Sequence, residues 1–199
     1  MNRADAYTLL TEYVTDPGLV RHMLAVEAAM RAYARKFGAD EELWGQVGLL
    51  HDFDYQRWPD PPDHPLKGSE ILRERGYPEE LIYAILSHAD YLADRFPRVR
   101  PLDKALYACD ELAGLITATA ILRPNGILDL TASSVKKKLK NKQFARSIKR
   151  EDIDRGAADL GVDLTEHITF EIEAMKGVAA ALCLERGAAM DGEIFGTGA

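Results

Sequence analysis

A chain of 199 residues, 47% of them hydrophobic, is long enough to bury one core and short for two, so one compact domain is expected. Its 32 acids against 25 lysines and arginines give a net charge of -7, which argues against duplex nucleic acid as a partner. Cys109 and Cys183 lie in apolar helical stretches outside any CxxC pair, and so read as small buried thiols of a reducing compartment, not a disulfide framework. The charged N-terminal stretch MNRADAYTLLTEYVTD lacks the apolar run of a signal peptide and no stretch is long enough to span a bilayer, so a cytoplasmic protein is expected.

Apolar residues recur at helical spacing almost throughout and no alternating run reads as a strand, which makes the chain an all-α bundle. Asp16 before Pro17 is an N-cap with proline at the first helical position, and Gly38 ends the pattern. On that helix Leu19, His22, Val26, Ala29 and Tyr33 share one stripe, so His22 faces the core. An Asp40 cap, with Glu41 and Glu42 in the first turn, starts the next helix, whose inner stripe is Trp44, Val47, Gly48 and His51. Pro59, Pro61 and Pro62 then enforce a loop ending at His64, which precedes Pro65 and caps a helix running towards Gly76.

Pro78 opens a helix with the stripe Leu81, Ala84, Ile85 and His88. Pro101 or Asp103 opens another, carrying Leu106, Tyr107, Asp110, Ala113 and Gly114. After Pro124, Asn125 and Gly126 the texture changes: Thr131 to Arg150 holds eight lysines and arginines and no acid. From Glu151 to about Arg186 two helices are expected, separated near Gly161, and His167 has the mixed neighbours of a boundary residue with no metal role. The domain is thus expected over 1–186, with a metal-binding core at about 17–118 and C-terminal helices over 131–186. Residues 187–199, with four glycines and no periodicity, read as a flexible tail.

A single inward histidine is ordinarily a satisfied core residue. Here His22, His51 and His88 sit on separate apolar stripes, His64 ends the proline loop, Asp52 follows His51, and Asp110 interrupts an apolar helix. Buried imidazoles and carboxylates are costly to desolvate unless partnered, and convergence on a divalent cation supplies the partner. The order of these residues, with the strings LLHDFDY, HPLKG and SHAD, resembles the HD superfamily of metal-dependent phosphohydrolases over roughly Pro17 to Ala118. The two extra histidines resemble its two-metal variant. That resemblance implies an HD-type helical domain with one metal on His22, His51, Asp52 and Asp110, a second on His64 and His88, and Asp52 bridging. Such a nitrogen and oxygen ligand set suits iron, manganese, zinc, cobalt or nickel and does not choose among them.

Two adjacent cations make hydroxide available at neutral pH and stabilise in-line attack on phosphate. The expected function is therefore hydrolysis of a small phosphate ester or anhydride, with nucleotides or dinucleoside polyphosphates as leading substrates. The alternatives are a di-iron enzyme of the same fold that activates dioxygen, or a non-catalytic nucleotide-binding module, the last disfavoured because every ligand of the motif is present. Phosphate oxygens beyond the metals need cationic donors, and Arg57, Lys67 and Lys104 are nearest in sequence to the ligands. In the run SVKKKLKNKQFARSIKR, Lys136, Lys137 or Lys140 would contact substrate if it is a flap; a solvated basic helix is the favoured reading. Asp54 and Asp90 adjoin the ligands and either donate a proton or, more in keeping with that position, orient an imidazole. No sustained heptad marks a coiled coil, and a monomer or homodimer is expected.

Overall fold

The structure, a computed structural model, describes residues 1–186; the stretch 187–199 lies outside them. Among the described residues there are helices and no strand. In chain order they are α1 Arg3–Tyr13, α2 Pro17–Phe37, α3 Glu41–Leu50, α4 Asp63–Glu74, α5 Glu79–His88, a short 3-10 turn Asp90–Leu92, α6 Pro101–Ile121, α7 Ala132–Leu139, α8 Arg150–Leu160 and α9 Leu164–Lys176. No helix among them is long and apolar enough to cross a membrane.

The expected caps form. Asp16 accepts from the Leu19 amide and Asp40 from the Glu42 and Leu43 amides, while Gly38 closes α2 at φ 65, the left-handed conformation that glycine adopts without strain. One helix had no counterpart in the periodicity: α1, started by an Asn2–Asp5 capping box, buries Ala6, Leu9 and Leu10 and packs on α3. Its apolar stripe is too short to stand out from a charged stretch. In α4 the expected effect of Pro65 is seen: His64 stays extended at ψ 131, where the following proline disfavours the helical conformation, and the regular turns follow.

Helices α2 and α3 pack most intimately, and Gly48 is the reason. A β-carbon there would lie 2.9 Å from the backbone of Val26 and Glu27, so only glycine lets the two helices approach this closely. That approach brings His22 on α2 and His51 at the end of α3 to a ring separation of 5.2 Å. The central element is α6, buried along most of its length, with α2 and α5 on one side and α7, α8 and α9 on the others.

Two expectations for the C-terminal third are corrected. His167 is not a boundary residue: it is 1% exposed, its Nε2 donates to the Ala108 carbonyl at 3.0 Å, and its Nδ1 accepts from the Tyr33 hydroxyl at 2.6 Å. The nearby acids Asp163 and Glu171 suggested a surface, but Asp163 is the N-cap of α9 and Glu171 is itself fully buried. The last expected helix is also shorter, ending at Lys176 in place of a point near 186. Beyond it the chain turns, Leu182 and Leu184 stay buried, and Cys183 faces solvent at φ 55, so only Cys109 is a buried thiol. The apolar spacing of 178–184 reflects a packed turn, whose Leu184 carbonyl accepts from the Ile127 amide at 2.8 Å.

Candidate metal centre

Four imidazoles from four elements meet at the mouth of the α2, α3, α5 and α6 packing. His51 is wholly buried, and its Nδ1 donates to the Gly48 carbonyl at 2.8 Å, one turn back on its own helix. That bond fixes the tautomer and leaves the Nε2 lone pair facing inward, where it has no hydrogen-bond partner. His88, the last residue of α5, is held the same way by its Nδ1 on the Ile85 carbonyl. His64 is held by its Nδ1 on Asp54 Oδ1 at 2.8 Å. His22 reaches Asp110 Oδ1 through Nε2 at 3.1 Å.

The acids complete two groups around one carboxylate. Asp52 Oδ2 lies 3.6 Å from His51 Nε2, while Asp52 Oδ1 lies 3.3 Å from His64 Nε2 and 3.3 Å from His88 Nε2. Asp110 Oδ1 stands 3.4 Å from His51 Nε2, between that imidazole and His22. Ligand atoms of His22, His51 and Asp52 all fall within 4.8 Å of one another, and so do those of Asp52, His64 and His88. Each trio is compact enough to hold one cation.

The electrostatics fit a cation. Burial alone would lower the His51 pKa, yet the carboxylates of Asp52 and Asp110 raise it to about 9. Burial likewise opposes protonation of His64, and Asp52 and Asp54 outweigh it, raising that pKa to about 10. Against the desolvation that would raise them, Asp52 and Asp110 are both held well below the ordinary carboxylate range by the imidazoles. Carboxylates that favour positive charge at His51 and His64, with two buried acceptor atoms, His51 Nε2 and Asp52 Oδ1, lacking hydrogen-bond partners, match a divalent-metal donor set.

Of the other expected site residues, several are elsewhere. Arg57 donates to the Glu12 carbonyl at 2.6 Å and covers the Tyr13 ring at 3.9 Å, bracing α1. Lys67 pairs with Glu70 at 3.4 Å, and neither it, Lys104 nor Lys137 lines the cavity at the centre. Lys136 donates to Thr165 Oγ1 at 2.8 Å and, with Lys140, lines a neighbouring cavity. Adjacency in sequence to a ligand fixes no direction.

Asp54 and Asp90 are not placed as proton donors. Asp54 is 1% exposed and uses its two oxygens on His64 Nδ1 and on the Gly68 amide, the latter at 2.7 Å. A β-carbon at Gly68 would sit 2.8 Å from that carboxylate, so glycine is what lets the bond form. Burial opposes the ionisation of Asp90, but Arg155 and Arg98 lower its pKa and keep it charged.

The cavity over the centre measures about 640 Å³, and residues that the spacing did not single out line it: Tyr55, Tyr91, Glu111 and Lys149. Glu111 follows Asp110 on α6, about 100° further round the helix, and so reaches the rim. Its Oε2 accepts from the Lys149 amide at 3.2 Å, and burial, with Asp110 beside it, pushes its pKa up to about 7. The doublet Asp110–Glu111 in an apolar helix was the available signal for it.

Residues 19–115 match the HD domain family, a span just under half of the chain that contains all six converging side chains. No curated protein matches the chain. No solved structure matches it either.

Proposed function

This chain belongs to the HD domain family, a superfamily of metal-dependent hydrolases, through residues 19–115; on that premise we propose that it is a dinuclear phosphohydrolase acting on a small phosphate ester or anhydride. The observation that carries the reading is the division of Asp52, one oxygen facing His51 and the other facing His64 and His88. A carboxylate so placed can bridge two cations, whereas a mononuclear site would leave the His64 and His88 pair without purpose. His22, His51, Asp52 and Asp110 would hold one ion; Asp52, His64 and His88 would hold the other.

The two cations, when bound, would supply Lewis acidity that lowers the pKa of water from 15.7 to roughly 7 and offsets charge on the phosphoryl group. The protein does the rest. Fixed Nδ1 bonds at His51, His64 and His88 hold the donor atoms in place before substrate arrives, which spares reorganisation in the transition state. Among the cavity-lining carboxyls outside the two metal groups, Asp90 and Asp152 are spent on Arg155, which leaves Glu111 to protonate the departing oxygen. Tyr55, Pro59 and Pro61 also line the cavity.

The test is phosphate release from a panel of esters and anhydrides by protein reloaded with each candidate metal after anaerobic purification. The reading expects turnover that chelation abolishes. A metal-loaded protein that is inert on the whole panel, and that consumes dioxygen instead, would overturn it.

A further inference from the structure

The basic run encloses a second cavity that the metal chemistry leaves unused. It measures about 960 Å³ and lies between the end of α7, the connector 141–149 and the start of α8. It abuts the cavity over the metal centre, since Asp90, Ile148, Lys149 and Asp152 line both.

Its charges are unbalanced. Asp90 and Asp152 are committed to Arg155, at 2.6 and 2.5 Å, and Asp90 also to Arg98 at 3.1 Å. Glu151 and Asp154 are the other acids on the wall, and opposite them stand Lys140, Lys142, Arg146 and Lys149, none in an ion pair among the described residues. Like charges gathered around one cavity repel one another, and a bound anion relieves the repulsion.

The connector that carries three of them is braced through its backbone. Arg150 spends its guanidinium on the carbonyls of Asn141, Ala145 and Ile148, at 3.2, 3.1 and 2.7 Å, and on that of Phe144, folding the connector around itself. Position and not exposure sets these cations apart within the basic run: all four are exposed, as Lys137 is, but Lys137 lies outside the cavity and Lys138 lies over the Phe144 ring. These four come from the C-cap of α7 and the connector and line one concavity, beside Lys136 of α7, which is spent on Thr165.

We infer that this second cavity seats a further phosphate group of the substrate, beyond the one that reacts, so that the substrate is a phosphoanhydride or bisphosphate and not a simple monophosphate. The inference rests on the phosphohydrolase reading, because it is the metal centre next door that defines which phosphate reacts. Lys149, on the wall shared by the two cavities, lies between the two phosphate positions.

Calorimetry with inorganic tripolyphosphate on metal-stripped protein isolates this cavity from catalysis. Lys140→Ala/Arg146→Ala is expected to weaken binding at least about tenfold, and the charge-matched Lys67→Ala/Lys137→Ala by less than about twofold. With metal restored, the first double variant should raise KM more for a phosphoanhydride than for a monophosphate. Equal weakening by both pairs, or no binding by the wild type, overturns the inference whether or not the protein hydrolyses phosphate. Cavity-specific binding in a protein that hydrolyses no member of the substrate panel overturns the proposed reaction instead.

Discussion

Two places in this molecule bury a histidine beside an acid, and they have opposite character. At the metal centre His51 is pinned through Nδ1 and presents an Nε2 with no hydrogen-bond partner to two carboxylates and an open cavity. At the junction of α2, α6 and α9, His167 has both nitrogens satisfied, by Ala108 and Tyr33. Charge follows geometry: facing carboxylates raise the His51 pKa to about 9 despite burial, whereas burial lowers that of His167. The acids invert too, since imidazoles hold Asp52 ionised and burial pushes the Glu171 carboxyl well above its usual range. Burial alone therefore does not mark a site; inward lone pairs without partners, converging under a cavity, do.

The comparison breaks most visibly at the ligands. Replacing His51 by Ala should abolish chelator-sensitive hydrolysis and remove bound metal, measured by elemental analysis, while His167→Gln should leave metal content unchanged. A loss of metal in the His167 variant would erase the distinction drawn between the two histidines.

Next in size is Glu111→Gln, expected to lower kcat by roughly 10²-fold on alkyl phosphates, the lower end of the range for general acid catalysis. On 4-nitrophenyl phosphate, whose leaving group needs no proton, the loss should shrink to within a few-fold. Equal losses on both substrates would remove Glu111 from the proposed proton transfer.

Asp54→Asn keeps the shape of the group that orients His64 but weakens its hold, and should cost about 10-fold to 100-fold in metal affinity. The loss should fall on one of two binding steps in a metal titration. A uniform loss across both steps would mean that Asp54 supports the fold and not His64 in particular.

The last effect lies at the other cluster, touches neither metal nor rate, and is one of stability. Because the folded pKa of Glu171 is raised above its unfolded value, its contribution is fully present below the unfolded pKa, near 4.5, and is lost as pH rises towards the folded pKa. The stability of Glu171→Gln relative to wild type should therefore grow from pH 5 to pH 8, by at most about 1.4 kcal/mol per pH unit. Thermal unfolding curves that run parallel with pH would contradict a buried, protonated Glu171.

What the sequence reveals differs between the same two regions. The centre is readable because helical periodicity is a statement about direction: once Asp16, Asp40 and Pro101 fix where helices start, the inward faces of His22, His51 and Asp110 follow. Lysines and arginines carry no such statement, and Arg57, Lys67 and Lys104, chosen by proximity along the chain, point elsewhere. Lys149 and Glu111 depend on how the connector after α7 folds back onto α6, a long-range contact that no local pattern encodes. His167 was misjudged for a related reason: the acids beside it suggested solvent, but one is a helix cap and the other is buried and uncharged.

The proposed bridging role of Asp52 is tested most directly by counting metal in anaerobically purified wild type and in Asp52→Ala. About two equivalents per chain in the wild type and close to none in the variant are expected, because the carboxylate belongs to both groups. A variant that keeps one tightly bound equivalent would show that Asp52 serves a single ion, and the dinuclear account would fail.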